Sequence, residues 1–169
     1  MILVLGIGRS GTSWVAGICQ KLGVNMGDVV VEPDEHNPKG YFEDLDFILE
    51  IRKMTGLGVV LPTTEMRERI HTLISQRKEP FGVKVPAIAD SPVVLREMLA
   101  VADKVIVCLR DLDDIAESMH KAYEWDQGTS WELIDRRLRN LKDGLPPDVL
   151  EIYFDDKDKE EKIKNYLDL

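Results

Sequence analysis

A glycine-rich turn near the start of the chain has residue types and spacing that could do chemistry. Residues 6–14 read G-I-G-R-S-G-T-S-W; they follow an apolar strand pattern at residues 2–5 and open a helical stretch. A turn of this kind lets backbone N–H groups point inward, and the first turn of the next helix adds its positive dipole end. The sequence therefore predicts a loop that holds an anionic group such as a phosphate.

The loop departs from the usual nucleotide triphosphatase pattern at one position. The spacing G-x-x-x-x-G is kept from Gly6 to Gly11, but Thr12 stands where a P-loop kinase or ATPase carries its lysine. The positive charge comes three residues earlier, at Arg9. A triphosphatase also usually has an acid at the end of a neighbouring strand to hold magnesium, and Arg110 takes that place here.

Three segments together resemble the sulfotransferase superfamily, whose donor is 3′-phosphoadenosine-5′-phosphosulfate (PAPS). The run of a basic residue followed by S-G-T-S-W is similar to the family's 5′-phosphosulfate loop. Residues 110–118 resemble its 3′-phosphate motif, with an arginine at a strand end and a serine eight positions later. Residues 36–44, H-N-P-K-G-Y-F-E-D, are similar to the N-P-x-G-Y-F-E segment of many bacterial-type members. The chain thus looks like a small bacterial or viral-type member.

The resemblance assigns roles to individual residues. It implies that the loop holds the 5′-phosphosulfate, that Trp14 stacks on the adenine, and that Arg110 and Ser118 hold the 3′-phosphate. The loop residues concerned are Arg9, Ser10, Gly11, Thr12 and Ser13. Arg9 beside the bridging oxygen would stabilise charge on the leaving group, and no metal is required. The alternatives are a core position for Trp14 and a surface ion pair for Arg110.

The residue that removes the proton from the acceptor substrate has several candidates. Many cytosolic sulfotransferases use the histidine of a K-x-H segment, but residues 84–86 read K-V-P here. Glu43 is the first candidate because other branches of the family use a glutamate, and His36 and Asp44 follow. Glu43 could equally be an acid placed favourably near a helix N-terminus. Lys84 would either aid the transferring sulfonate or only mark a strand end.

Alternating strands and helices must position these residues. Strand patterns occupy residues 2–5, 81–85, 104–109 and 149–154, and residues 29–31 could add a short strand. Helical patterns cover residues 11–22, 44–55, 65–78, 92–102, 111–123, 129–141 and 157–167. The alternation predicts an α/β fold, a three-layer sandwich with a mostly parallel sheet flanked by helices, of the P-loop nucleotide-binding type. Ligands bind beyond the carboxyl ends of such strands, where both anion motifs lie.

Composition limits the number of domains, the kinds of partner and the cellular location that we expect. A chain of 169 residues with 44% hydrophobic residues fits a single domain, residues 1–169, with one sizeable core. A net charge of −9 is unfavourable for binding nucleic acid or an anionic membrane. No segment reaches the roughly 20 apolar residues of a membrane span, so we expect a cytoplasmic protein. Cys19 and Cys108 lack metal or disulfide spacing and are expected in the core.

The hypothesis from sequence is a PAPS-dependent sulfotransferase that acts on a hydroxyl or amine of a small-molecule or carbohydrate acceptor. The product of the donor is 3′-phosphoadenosine-5′-phosphate (PAP). The alternatives are a P-loop nucleotide-dependent kinase and a non-catalytic nucleotide-binding protein of the same fold.

Two further predictions concern the acceptor pocket and the segment that covers the site. The acceptor pocket is expected along residues 28–41 and 57–66. Larger members continue after the final strand into a basic, glycine-containing loop over the nucleotide, which has no counterpart in this sequence. Another subunit of a homo-oligomer, or residues 56–64, is expected to cover the site instead.

Overall fold

A four-stranded sheet forms the centre of the computed structural model, which describes residues 1–27, 30–55, 63–124 and 126–169. The strands are β1 (Ile2–Gly6), β2 (Gly82–Lys84), β3 (Lys104–Leu109) and β4 (Leu150–Tyr153), in the order β2-β1-β3-β4. Every pairing between neighbours is parallel, as predicted. Because β1 and β3 are direct neighbours, the segments that follow them meet at the same edge of the sheet.

Helices cover both faces of this sheet. In the described residues they are α1 (Thr12–Lys21), α2 (Leu45–Thr55), α3 (Thr63–Ser75), α4 (Pro92–Val101), α5 (Leu112–Tyr123), α6 (Gln127–Gly144) and α7 (Lys159–Leu167). A short 3₁₀ helix at Pro86–Asp90 follows β2 and was not predicted from the sequence. The fixed φ of proline suits the first position of such a turn.

Side chains of the strands alternate between two cores. Leu3 of β1 packs into a large core that α2 to α6 cover, whereas the next residue, Val4, packs into a smaller one under α1 and α7. The predicted three-layer α/β sandwich is therefore confirmed. Cys19 and Cys108 lie buried in the smaller core, as expected, and burial raises the pKa of both thiols.

Side-chain caps fix where the helices around the site begin. The Asp44 carboxylate accepts hydrogen bonds from the first N–H groups of α2, as predicted, and Ser91 caps α4. The Asp111 carboxylate accepts from the N–H groups of Asp113 and Asp114. Arg110 therefore lies between the last residue of β3 and the residue that caps α5.

Some predicted segments differ from the structure or lie outside it. Residue 29 of the predicted strand 29–31 lies outside the described residues, and Val30 forms only an isolated antiparallel bridge with Asp44. Residues 56–62 of the segment expected to cover the site also lie outside the described residues. Helix α6 begins before the predicted residue 129, because Asp126 caps it. None of the helices in the described parts of the chain is long and apolar enough to cross a membrane.

Candidate functional site

The turn between β1 and α1 leaves the start of the helix open. Gly11, directly before α1, has a φ of +95°, and among the described residues no side chain caps the helix. The N–H of Trp14 donates to the backbone oxygen of Gly11 at 3.0 Å, whereas those of Thr12 and Ser13 have no acceptor among the described residues. A Cβ on Gly11 would lie 2.8 Å from Cδ2 of Phe154, so glycine fits both the conformation and the space. The open N–H groups and the positive helix end can together receive an anion.

A cavity of about 240 Å³ lies at this turn, at the carboxyl ends of the strands. We call it the loop cavity. Most of the predicted site residues line it, namely Arg9, Gly11, Thr12, Ser13, Trp14, His36, Glu43, Lys84, Arg110 and Ser118. The side chain of Ser10 is instead buried away from the lining, and its Oγ has no hydrogen-bond partner among the described residues. Residues that are widely separated in the sequence thus converge on one cavity.

Direct contacts join the turn after β1 to the segment after β3. Nε of Arg9 donates to Oγ of Ser118 at 2.9 Å, and Nη1 of Arg9 donates to the backbone oxygen of His36 at 3.2 Å. Nη1 of Arg110 donates to the backbone oxygen of Arg9 at 3.2 Å. Arg110 also forms an ion pair with Asp114, 3.4 Å away. The two predicted anion-binding segments therefore form one continuous surface.

Phe154 links aromatic and cationic side chains at the rim of the loop cavity. The guanidinium of Arg110 lies 4.3 Å from the centroid of the Phe154 ring, and this ring packs edge-on against Trp14 at 5.7 Å. Nζ of Lys159 lies 4.3 Å from the centroid of Trp14. Trp14 is 50% exposed, so the alternative that placed it in the core is wrong. Phe154 was not assigned to the site from sequence, although its position directly after β4, at the same sheet edge, was a signal for it.

Lys84, at the end of β2, is a buried cation in the wall of the loop cavity. Only 2% of the residue is exposed. Its Nζ donates to Oε1 of Glu43 at 2.5 Å, to Oγ of Ser13 at 3.1 Å and to the backbone oxygen of Tyr41 at 3.1 Å. Burial lowers the pKa of Lys84, and the Glu43 carboxylate partly offsets that effect. These acceptors match the three donors of an ammonium group, so Lys84 is fixed against the loop.

Asp34 organises the segment between α1 and α2, and Asn37 joins that segment to the loop. Its carboxylate accepts hydrogen bonds from the N–H groups of His36 and Asn37, each at 2.9 Å, and from the hydroxyl of Tyr41. Nδ2 of Asn37 donates to Oγ of Ser13 at 2.9 Å. Burial and the neighbouring Asp34 raise the pKa of Tyr41 to about 12. Asn37 and Tyr41 belong to the segment 28–41 expected at the acceptor pocket, but neither was given an individual role from sequence.

Asp44, the third candidate for the proton acceptor, lies outside the loop cavity. It is buried, and its carboxylate accepts from Nε of Arg77 at 3.1 Å and from Nη2 of Arg77 at 3.0 Å. The same carboxylate caps α2, which gives Asp44 a structural role. Among the three candidates, Glu43 and His36 line the cavity.

A second cavity, of about 330 Å³, adjoins the loop cavity. We call it the side cavity. Gly8, Tyr41, Glu43, Pro86 and Tyr123 line both cavities. The acceptor pocket was expected along residues 28–41 and 57–66, of which 28, 29 and 57–62 lie outside the described residues. Val31 and Tyr41 line the side cavity, and none of residues 63–66 does. Its other walls come from α2, the 3₁₀ helix, α5 and α6, which were not expected there.

Comparison of the sequence with family models gives no match, and comparison with curated proteins gives none either. Solved structures do match. The sulfotransferase domain from the curacin biosynthetic pathway matches with a TM-score of 0.63 and 15% identity, covering 100% of this chain and 74% of that chain. The sulfotransferase domain from the Synechococcus PCC 7002 olefin synthase matches with a TM-score of 0.58 and 15% identity, covering 99% and 71%.

A kinase structure matches nearly as well. Shikimate kinase from Bacteroides thetaiotaomicron gives a TM-score of 0.56 and 15% identity, covering 99% of this chain and 98% of that chain. At 15% identity the similarity shows the fold alone. It confirms the predicted P-loop architecture, and it confirms the predicted resemblance to sulfotransferases only at the level of the fold. The chain therefore has the fold that sulfotransferase domains and P-loop kinases share.

Proposed function

We propose that the protein transfers a sulfonate group from PAPS to a hydroxyl or amine of a small acceptor. One observation carries the proposal: the cationic side chains of Arg9, Lys84 and Arg110 line one cavity together with an open helix start. PAPS presents anionic groups at both ends of one nucleotide, which suits a cavity lined by separated cations. Sulfuryl transfer needs mainly the positioning of donor and acceptor and stabilisation of charge on the leaving group.

The residues take the following parts in the proposed reaction. The acceptor oxygen or nitrogen bonds to sulfur while the bond from sulfur to the bridging oxygen breaks, and PAP leaves as a phosphate anion. The loop N–H groups and Arg9 stabilise that anion, Lys84 stabilises the transferring sulfonate, and Arg110 with Ser118 holds the 3′-phosphate. The proton of the acceptor passes to Glu43 or His36, both of which line the loop cavity.

A P-loop kinase is the second candidate, because the shikimate kinase structure is covered almost completely. Kinases of this class hold magnesium with the loop hydroxyl at the position of Ser13. Here Oγ of Ser13 receives hydrogen bonds from Nζ of Lys84 at 3.1 Å and from Nδ2 of Asn37 at 2.9 Å. An ammonium at that hydroxyl repels a divalent cation. These contacts support sulfonate transfer over phosphoryl transfer.

Calorimetry and a transfer assay test the proposal. PAP is titrated without magnesium and ATP with magnesium, and radiolabelled PAPS is then incubated with a mixture of alcohols, phenols and amines. We expect PAP to bind more tightly than ATP, and label to pass to an acceptor. Magnesium-dependent binding of ATP with weak binding of PAP would favour the kinase. Binding of PAP without transfer to any acceptor would favour a non-catalytic nucleotide-binding protein.

A further inference from the structure

Much of the lining of the side cavity is apolar. Val31, Ile48, Val85, Ala87, Met119 and Leu133 contribute to its walls. Its volume of about 330 Å³ lies at the lower end of the roughly 300–1,000 Å³ typical of small-molecule sites. A carbohydrate would leave many hydroxyl groups without partners against such walls, at a cost for each. The side cavity therefore suits a small molecule with an apolar body.

Two helices each place an arginine next to the apolar walls. Ile48 and Arg52 of α2 both line the side cavity, and so do Leu133 and Arg137 of α6. Residues four positions apart lie on the same face of a helix, about one turn from each other. Each arginine therefore stands one helical turn beyond an apolar contact, from two different elements of the fold.

These arginines bring a net positive charge to the side cavity. Arg52 is exposed and makes no ion pair in the part of the chain that the structure describes. Arg137 donates to Asp90 through Nε and Nη2, each at 2.8 Å, but the same carboxylate accepts from Arg136 at 3.1 Å. One carboxylate thus faces two guanidinium groups. Nη1 of Arg137 lies 3.2 Å from where a Cβ of Gly8 would stand, and Gly8 lines both cavities, so Arg137 adds its charge where the two cavities meet.

Glu43 defines the part of the side cavity that meets the loop cavity, because it lines both. Its negative charge is already paired with Lys84, so it cancels little of the charge of Arg52 and Arg137. A hydroxyl group beside Glu43 lies where the proposed transfer takes place.

We propose that the acceptor is a small molecule with an apolar body, a hydroxyl group at one end and a carboxylate at the other. Arg52, which lines the side cavity but not the loop cavity, binds the carboxylate, the apolar walls cover the body, and the hydroxyl reaches Glu43. This inference rests on the proposed sulfonate transfer for its reaction, but its binding part can be measured separately.

Two pairs of acceptors test the inference. ω-Hydroxyoctanoate is compared with octanediol, and ω-hydroxydecanoate with decanediol, because each diol keeps the length and the reactive hydroxyl but lacks the carboxylate. Binding is measured by calorimetry, with and without saturating PAP, and transfer is measured with radiolabelled PAPS. We expect the acids to bind roughly tenfold more tightly than the diols and to react with a correspondingly higher kcat/KM.

Variants at Arg52 test the origin of the preference. Arg52→Gln should remove most of the preference for the acids, and Arg52→Glu should invert it in favour of the matching amino alcohols. Arg139→Gln is the matched control, since Arg139 is exposed, pairs with Asp135 at 2.9 Å within α6 and is not among the lining residues of either cavity. That variant should keep the wild-type preference.

The outcomes separate this inference from the proposed function. Equal binding of acids and diols, or a preference that Arg52→Gln leaves unchanged, overturns the carboxylate assignment even when label is transferred. Preferred transfer to a carbohydrate also overturns it. Arg52-dependent binding of the acids without any transfer of label supports the carboxylate site while the proposed sulfotransferase activity fails.

Discussion

The Nζ atom of Lys84 lies 2.5 Å from Oε1 of Glu43, and Glu43 lines both the loop cavity and the side cavity. One carboxylate oxygen is thus occupied by an ammonium, and in the described residues no donor bonds to the other. Lys84 also reaches the loop through Oγ of Ser13. The ion pair therefore connects the phosphosulfate loop of the proposed donor site to the candidate base.

Replacing Glu43 by glutamine should separate catalysis from binding. Glu43→Gln removes the only acid among the proposed bases that line the loop cavity, so turnover should be lost while the affinity for PAP changes little. The variant also leaves the buried Lys84 without its carboxylate, which should cost about 3 kcal/mol of unfolding free energy. Urea denaturation and transfer from labelled PAPS measure the two effects.

A double variant controls for this loss of stability. Lys84→Met combined with Glu43→Gln removes both charges, so it should recover much of the unfolding free energy but not the turnover. Normal turnover of Glu43→Gln would remove Glu43 as the base and leave His36 as the candidate.

Arg110 should recognise the 3′-phosphate of the nucleotide. Arg110→Ala should weaken PAP far more than adenosine 5′-phosphosulfate, which lacks that phosphate, because a charge-assisted contact is worth about 1.5–3 kcal/mol. The expected loss for PAP is roughly tenfold or more. Arg136→Ala is the control, since Arg136 is exposed, pairs with Asp90 and is absent from the lining of the loop cavity. Equal losses for both nucleotides would remove Arg110 from this role.

The positions of Arg9 and Arg110 could be predicted from sequence because each follows a strand, and parallel strands end at one edge of the sheet. The buried strand 104–109 was recognisable from its apolar run, and its bounds agree with β3. The resemblance of the loop sequence supplied the residues around Gly11. The architecture and most of the residues that line the loop cavity could therefore be predicted from the sequence.

The contacts of Lys84 and Asp44 could not be predicted from the sequence in the same way. Lys84 meets Ser13 across 71 positions, and Asp44 meets Arg77 across 33, through packing that no local pattern encodes. Capping of α2 by Asp44 was predictable from its residue type, but its burial against Arg77 was not. The Pro86–Asp90 turn was missed because five residues are too few to show a helical period.

Two glycines with the same positive φ should respond differently to replacement by alanine. Gly11 and Gly23 both have a φ of +95°, but a Cβ on Gly11 would meet Phe154 at 2.8 Å, whereas one on Gly23 would have no atom of the described residues within 4 Å. Both variants should lose about 1–2 kcal/mol from the positive φ alone. Only Gly11→Ala should lose more and should also bind PAP roughly tenfold more weakly, since Phe154 packs on Arg110 and Trp14.

Combining Gly11→Ala with Phe154→Ala isolates the steric part of this effect. The additional loss of stability in Gly11→Ala should shrink when Phe154 is already absent, as a double-mutant cycle by urea denaturation would show. Additive losses, or a Gly23→Ala variant that impairs PAP binding as strongly, would contradict a clash between Gly11 and Phe154.

The Tyr41 hydroxyl should ionise later than an ordinary tyrosine. Burial, together with the hydrogen bond to Asp34, raises its pKa from 10.0 to about 12. Between these two values the unfolded chain has lost the phenol proton that the folded chain keeps, so this contribution to stability is complete below pH 10 and disappears as the pH rises towards 12.

The difference in phenolate absorbance between the wild type and Tyr41→Phe reports the titration of the Tyr41 hydroxyl. In Asp34→Asn the midpoint should move towards 10, because the anionic partner is gone; an unchanged midpoint would show that Asp34 does not hold Tyr41 at the wall of the two cavities.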